Sequence, residues 1–272
     1  MTPKWIVQAD CEDLDVSGLV SEAKKNGCEV VESFHRFGMD LDLAYSSDRN
    51  PIILYGSIGF VLNVQRRSSF PLIGWFNPYN LRCSTYYAHL GEHLLSREYA
   101  MMPIGDLVKR FETLVGASKN GSLFIRPNIG AKPFVGQIVT ASDWHKIKSI
   151  SDSISPEELV VVAPSKPIDA EFRFVVCNRH IADFSHYDSP YTENNKITKP
   201  STSSLRLARK IANTPWQPDT CYTVDIAESD GYSYLVEINS FSSSGFYGCD
   251  PANIVSCACV ASIKDWTEIY GN

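Results

Sequence analysis

Hydrophobic and polar positions alternate most cleanly toward the C-terminal end of the chain. Residues 221–227 (CYTVDIA) and 232–239 (YSYLVEIN) are two β-prone runs on either side of Ser229-Asp230-Gly231, which predicts a β-hairpin. Side chains alternate faces along a strand, so Glu237 and Asn239 share one face while Val236 and Ile238 share the other. A hairpin centred on Asp230 pairs Asp225 with Leu235 and brings Asp225 onto the face of Glu237 and Asn239. A register slip of one residue would move it to the opposite face.

The upstream pattern alternates short apolar runs with helical stretches. Residues 5–8 read as a strand, 17–26 as a helix closed by Gly27, and 29–32 as a second strand, a β-α-β opening that predicts a small α/β layer. Residues 51–64 are apolar and interrupted by Gly56 and Gly59. The GSIG segment lacks a phosphate-loop pattern and predicts a close-packed strand-to-helix turn. A helix is expected over 84–97, with His89 and His93 one turn apart. HLGEH has its glutamate misplaced for a zinc motif, so a surface or packing role is the expectation.

Beyond it, the pattern predicts a helix over 103–114, strands over 122–125 and 137–140, and a helix over 142–150 capped by Ser142. A valine-rich strand follows at 158–163. Residues 170–177 set Glu171, Arg173 and Val175 against Phe172, Phe174 and Val176, as in a sheet covered on one side and facing a cleft on the other. A surface salt bridge between Glu171 and Arg173 is the plainer reading. Asn178-Arg179 is a turn and 180–184 returns antiparallel. Residues 188–204 lack apolar periodicity and read as a long loop, a lid or substrate loop; 205–212 form a basic helix, and 252–263 a C-terminal helix.

Composition narrows the class. The 272 residues are 44% hydrophobic and 21% charged, typical of a globular protein, and can form one large domain or two smaller ones. The net charge of −6 argues against nucleic acid held by bulk electrostatics. No apolar run is long enough to span a membrane and the N-terminus has no signal-peptide pattern. Eight cysteines without a CxxC pair point to a reduced, cytoplasmic protein, with Cys257 and Cys259 as buried thiols.

Two segments carry candidate chemistry. Asp225, Glu237 and Asn239 form an oxygen cluster of the kind that binds Mg²⁺, although carboxylates on an antiparallel strand also simply line solvated faces. The segment RPNIGAKPFVG, from Arg126 to Gly136, has basic residues and glycines that suit a loop over phosphates, and equally an ordinary hairpin loop.

In order, RPNIGAKPFVG, AEFRFVV, YTVDIA and EINSFSSSGFYG resemble the ATP-grasp superfamily, and more closely its phage and bacterial clade named for one arginine and two lysines. The resemblance spans about residues 100–250. It implies an α+β fold in which two subdomains grip a nucleotide (residues 101–272), preceded by a small α/β domain (residues 1–100). It implies ATP and Mg²⁺ as cofactors. Arg126 and Lys132 would hold the phosphates and Lys166 the α-phosphate or adenine edge. Val162 and Ala163 would form the adenine hinge, and Arg173 would meet the γ-phosphate or acyl phosphate. Asp225, Glu237 and Asn239 would bind the metal, while Glu171 would orient Arg173 or Lys132. Arg126 stands where the wider superfamily has lysine, a change that keeps phosphate binding. The implied activity is ATP-dependent ligation of a carboxylate to an amine through an acyl phosphate, on a small molecule or a peptide or protein end. A nucleotide-binding protein without turnover and a phosphotransferase are the alternatives. Oligomeric state has no signature in the sequence.

Overall fold

The protein is described from a computed structural model, covering residues 1–12, 14, 16–41, 50–68, 72–187 and 198–270. The first layer contains β1 (Lys4–Gln8), α1 (Val16–Lys25), β2 (Glu29–Ser33), β3 (Ile52–Tyr55) and α2 (Ile58–Arg67). Its three strands are parallel in the order β2-β1-β3, as the β-α-β pattern predicts. Gly56 makes the expected close turn: a Cβ there would stand 2.7 Å from the Gln8 Cβ and 2.6 Å from the Phe60 ring. Ser57 then caps α2 by accepting the Phe60 N–H.

The helix α3 (Cys83–Leu90) passes into a single 3-10 turn and stops at His93, short of the expected Arg97. His89 stacks on Trp216 and His93 contacts Glu92, so the two histidines have packing roles and do not converge.

A second sheet combines β4 (Ala100–Pro103), β5 (Ser122–Pro127), β6 (Gln137–Thr140) and β7 (Leu159–Pro164) in the antiparallel order β4-β7-β5-β6. Helices α4 (Ile104–Ala117) and α5 (Trp144–Ser153) cover it, with Leu107, Phe111 and Ile147 packed among Leu123, Ile125, Val139 and Val160. The expected Ser142 cap is instead a capping box between Thr140 and Asp143, which satisfies both ends of the turn reciprocally. β4 was not anticipated, since AMMP is too short to show a period.

The third sheet holds β8 (Ala170–Cys177), β9 (His180–His186), β10 (Cys221–Ser229) and β11 (Tyr232–Ser240), ordered β11-β10-β8-β9 and fully antiparallel. One face is covered by α6 (Thr202–Ala212), whose Ala208 and Ile211 pack with Phe172, Phe174 and Val224. The opposite face is divided. Val175, Cys177 and Cys221 lie under α7 (Pro251–Tyr270), while Glu171, Arg173 and Asp225 continue the same face beyond that helix. α7 also packs on Trp5, Leu19 and Ala23, so the end of the chain shares a core with its beginning.

Of the expected 188–204 loop, residues 188–197 lie outside the described residues, and 202–204 belong to α6, capped by Ser201. All eight cysteines are free thiols; Cys257 and Cys259 are half-buried rather than buried. Among the described residues no helix is long and apolar enough to cross a membrane.

The β10–β11 hairpin corrects the expected register. Its loop is two residues, Asp230 (φ 52°) and Gly231 (φ 78°), with Ser229 opposite Tyr232. Such a turn matches the twist of the strands, whereas the three-residue turn centred on Asp230 is not formed. This register alone would set Asp225 opposite Val236, on the wrong face. A bulge between Ile226 and Asp225 absorbs Val236, so Asp225 lies opposite Glu237, not Leu235. Asp225, Glu237 and Asn239 thereby share one face. Gly231→Ala should lower stability by about 1 kcal/mol, since a Cβ there meets nothing within 4 Å and the cost is the backbone conformation alone. A urea midpoint unchanged from wild type would contradict this turn.

Candidate functional site

A cavity of about 420 Å³ lies between the second and third sheets, with the first layer closing one side. Arg126 reaches it from within β5, where it pairs with Val161, rather than from the loop beyond the strand. Lys132 comes from the β5–β6 connection in a left-handed conformation (φ 47°). Lys166 comes from the β7–β8 connection, Glu171 and Arg173 from β8, and Glu237 and Asn239 from β11. Val162 and Ala163 are not among the lining residues. Val162 is central in its sheet, paired with both Ala100 and Ile125, and the wall beyond it is formed by Lys166 and Ile168.

The charged groups form one connected network. Arg173 donates from Nε and Nη2 to the two oxygens of Asp225, both at 2.7 Å, and from Nη1 to the Gly245 carbonyl at 2.9 Å. The side chains of this bidentate pair are 7% and 2% exposed, so each charge is compensated chiefly by the other. Asn239 donates its amide nitrogen to Asp225 (3.0 Å) and presents its oxygen to Lys132 Nζ (2.5 Å). Lys132 also pairs with Glu237 at 2.6 Å, and Arg126 Nη2 pairs with the same carboxylate oxygen. Arg126 Nη1 donates to the carbonyl of Val236, the residue displaced by the bulge. Lys166 stands apart, donating to the Leu95 carbonyl and to Glu98.

Burial pushes the Glu237 carboxyl up, but Arg126, Lys132 and Arg173 outweigh burial and hold it at about 2. Four cations line the cavity, each already paired with a carboxylate: Arg126 and Lys132 with Glu237, Arg173 with Asp225 and Lys166 with Glu98, so a polyanion would take the place of these partners. Arg126 Nε is buried without a partner, a donor left over on the same wall. Among the described residues no cluster of three or more His, Cys, Asp or Glu side chains could hold a metal. The oxygens of Asp225, Glu237 and Asn239 are of the hard type that Mg²⁺ takes, and here Arg173, Arg126 and Lys132 engage them.

Several lining residues carried no signal in the sequence. Leu14, Ile58, Phe76 and Leu81 give the cavity an uncharged wall on the N-terminal side. Ser243, inside the serine-rich EINSFSSSGFYG segment that the sequence does mark, contributes a buried hydroxyl without a partner. Tyr187 and Tyr247 stand beside Arg173. Isolated apolar and aromatic residues in connections have no period to mark them.

Two outcomes follow from the network. Asp225→Ala leaves Arg173 buried and unpaired and should cost about 3–5 kcal/mol in urea denaturation; a loss below about 1 kcal/mol would contradict a buried pair. Glu237 has a folded-state pKa below the ordinary 4.5, so the unfolded chain binds more protons between these values. Its contribution is complete above about pH 4.5 and is lost as pH falls toward about 2. Glu237→Gln should flatten stability against pH in that window, and an unchanged slope would refute the depressed pKa.

The ATP-grasp domain of family 2 in the clade named for one arginine and two lysines matches residues 103–257, more than half of the chain. No curated protein matches the sequence. Among solved structures, D-cycloserine synthetase DcsG is similar at TM-score 0.63 and 11% identity, covering 96% of this chain and 99% of that one. D-alanine–D-alanine ligase from Bacillus anthracis is similar at TM-score 0.63 and 12% identity, covering 99% and 100%. The ATP-grasp ligase PsnB complexed with minimal precursor is similar at 0.57 and 13%, covering 96% and 100%. At these identities the likeness is one of fold, and it extends through the first layer as well as the matched region. The chain has the α+β ATP-grasp fold and belongs to the ATP-grasp superfamily, in family 2 of the arginine-and-two-lysines clade.

Proposed function

We propose that the protein is an ATP-dependent carboxylate–amine ligase working through an acyl phosphate, with Mg²⁺ at Asp225, Glu237 and Asn239. The observation that carries this reading is the convergence of Arg126, Lys132, Lys166 and Arg173 with Glu237 and Asn239 from separate segments on one cavity, with Asp225 bound to Arg173. Phosphoryl transfer needs positioning and charge neutralisation more than covalent chemistry, and this set offers both. Arg126 and Lys132 would exchange Glu237 for phosphate oxygens, and Lys166 would serve the α-phosphate or the adenine edge. Arg173, braced by Asp225, would meet the charge that develops on the transferred group. Mg²⁺, when bound, would neutralise phosphate oxygens.

The substrates are a carboxylic acid and an amine. The neighbours named as D-alanine–D-alanine ligase and as a ligase complexed with precursor support an amino-acid or peptide acid. The uncharged wall of Leu14, Ile58 and Phe76 supports an apolar group beside the reacting carboxylate. On this reading residues 1–100 form the substrate-facing layer and 101–272 the nucleotide-gripping unit.

Calorimetry with ATP and Mg²⁺ tests the assignment. Wild type should bind, Lys132→Ala should lose at least about tenfold in affinity, and Glu237→Gln should bind more weakly and lose its Mg²⁺ dependence. ADP release should then require both an acid and an amine. Absence of nucleotide binding by the wild type would overturn the proposal, and turnover yielding a phosphorylated product without an amine would replace ligation with phosphotransfer.

A further inference from the structure

Arg173 is held by more than Asp225. Its guanidinium carbon lies 5.2 Å from the Tyr187 ring and 4.9 Å from the Tyr247 ring, while the two ring centroids are themselves 4.9 Å apart. These nearly equal separations set the guanidinium and the two rings at the corners of a triangle, which excludes a sandwich of the guanidinium between the rings. Asp225 takes the Nε hydrogen and one from Nη2, and Gly245 takes one from Nη1. The remaining hydrogens on Nη1 and Nη2 are the ones left for a ligand.

Both rings are mounted on fixed backbone. Tyr187 follows β9 directly and donates its N–H to the Glu171 carbonyl at 2.8 Å. The 244–248 segment is tied down by Tyr55 Oη to the Ser244 carbonyl, Arg173 to Gly245 and Ser185 Oγ to Phe246. Phe246 is further packed on Tyr55 and Phe241. At the end of this anchored run Tyr247 adopts φ 51°, a costly conformation for a bulky residue, yet the residue is 45% exposed. An exposed tyrosine kept in such a conformation contributes little to a core. Burial raises the Tyr187 phenol above its ordinary value.

We infer that Tyr187 and Tyr247 are positioning residues that hold the Arg173 guanidinium by their ring faces and keep its free edge aimed at the terminal phosphoryl group of the nucleotide. The inference rests on the proposed nucleotide site. Its signature is discrimination: the pair acts only where Arg173 acts, so it strengthens binding of a triphosphate and leaves a diphosphate unaffected.

The test is calorimetry, with Mg²⁺, of ADP and of the imido analogue of ATP, on wild type and on Leu and Phe variants at both tyrosines. Tyr187→Leu and Tyr247→Leu should each weaken the analogue by about tenfold and leave ADP unchanged, whereas Tyr187→Phe and Tyr247→Phe keep wild-type discrimination. Pentafluorophenylalanine at position 247 keeps the packing but removes the negative ring face, and should reproduce the loss even if a Leu variant fails to fold. Equal losses for ADP and the analogue, or wild-type discrimination in both the Leu and the fluorinated variants, would overturn the inference while leaving the nucleotide site intact. A wild type that binds neither nucleotide would remove the site itself, and this inference with it.

Discussion

The site depends on two carboxylates and two arginines withdrawn from water together. Asp225 and Arg173 are both almost wholly buried on neighbouring strands, and neither could be accommodated there alone without several kcal/mol of desolvation cost. Arg126 and Glu237 make the corresponding pair across the cavity, from β5 to β11. Through Lys132 and Asn239 the two pairs become one network joining the second sheet to the third. A polyanion entering with a cation would find partners for both signs already gathered. Insertion then exchanges one set of compensated charges for another, with little reorganisation at the moment of reaction.

The same strands show how one sheet face serves stability and chemistry at once. Along β8, positions 171, 173, 175 and 177 point the same way by alternation. The first two face the cavity and the last two lie under α7, so the charged half of the strand is anchored by its apolar half. α7 is in turn packed on α1 and on the first sheet, which couples the N-terminal layer to the floor of the site. The uncharged wall contributed by Leu14 and Ile58 is therefore fixed with respect to Arg173 by a shared core.

Much of this was legible in the sequence where a period was long enough to read. The alternation of EFRFVV and of the hairpin strands marked the cavity face, and the ordered motifs marked the fold. Asp225 reached the predicted face by a different route, because a two-residue turn and a bulge cancel in side-chain direction and leave no trace in the alternation. β4 and the tyrosine pair were missed since their meaning lies in long-range contacts. Val162 and Ala163 followed from the resemblance alone; Val162 is paired on both sides, with Ala100 and Ile125, and Ala163 on one, with Phe124.

The most direct test is a crystal structure with Mg²⁺ and the imido analogue of ATP. The account predicts Asp225, Glu237 and Asn239 oxygens around the metal, Lys132 and Arg126 moved from Glu237 to phosphate oxygens, and the Arg173 edge at the terminal phosphoryl group. A nucleotide bound elsewhere, with the Arg126–Glu237 and Lys132–Asn239 contacts intact, would contradict it.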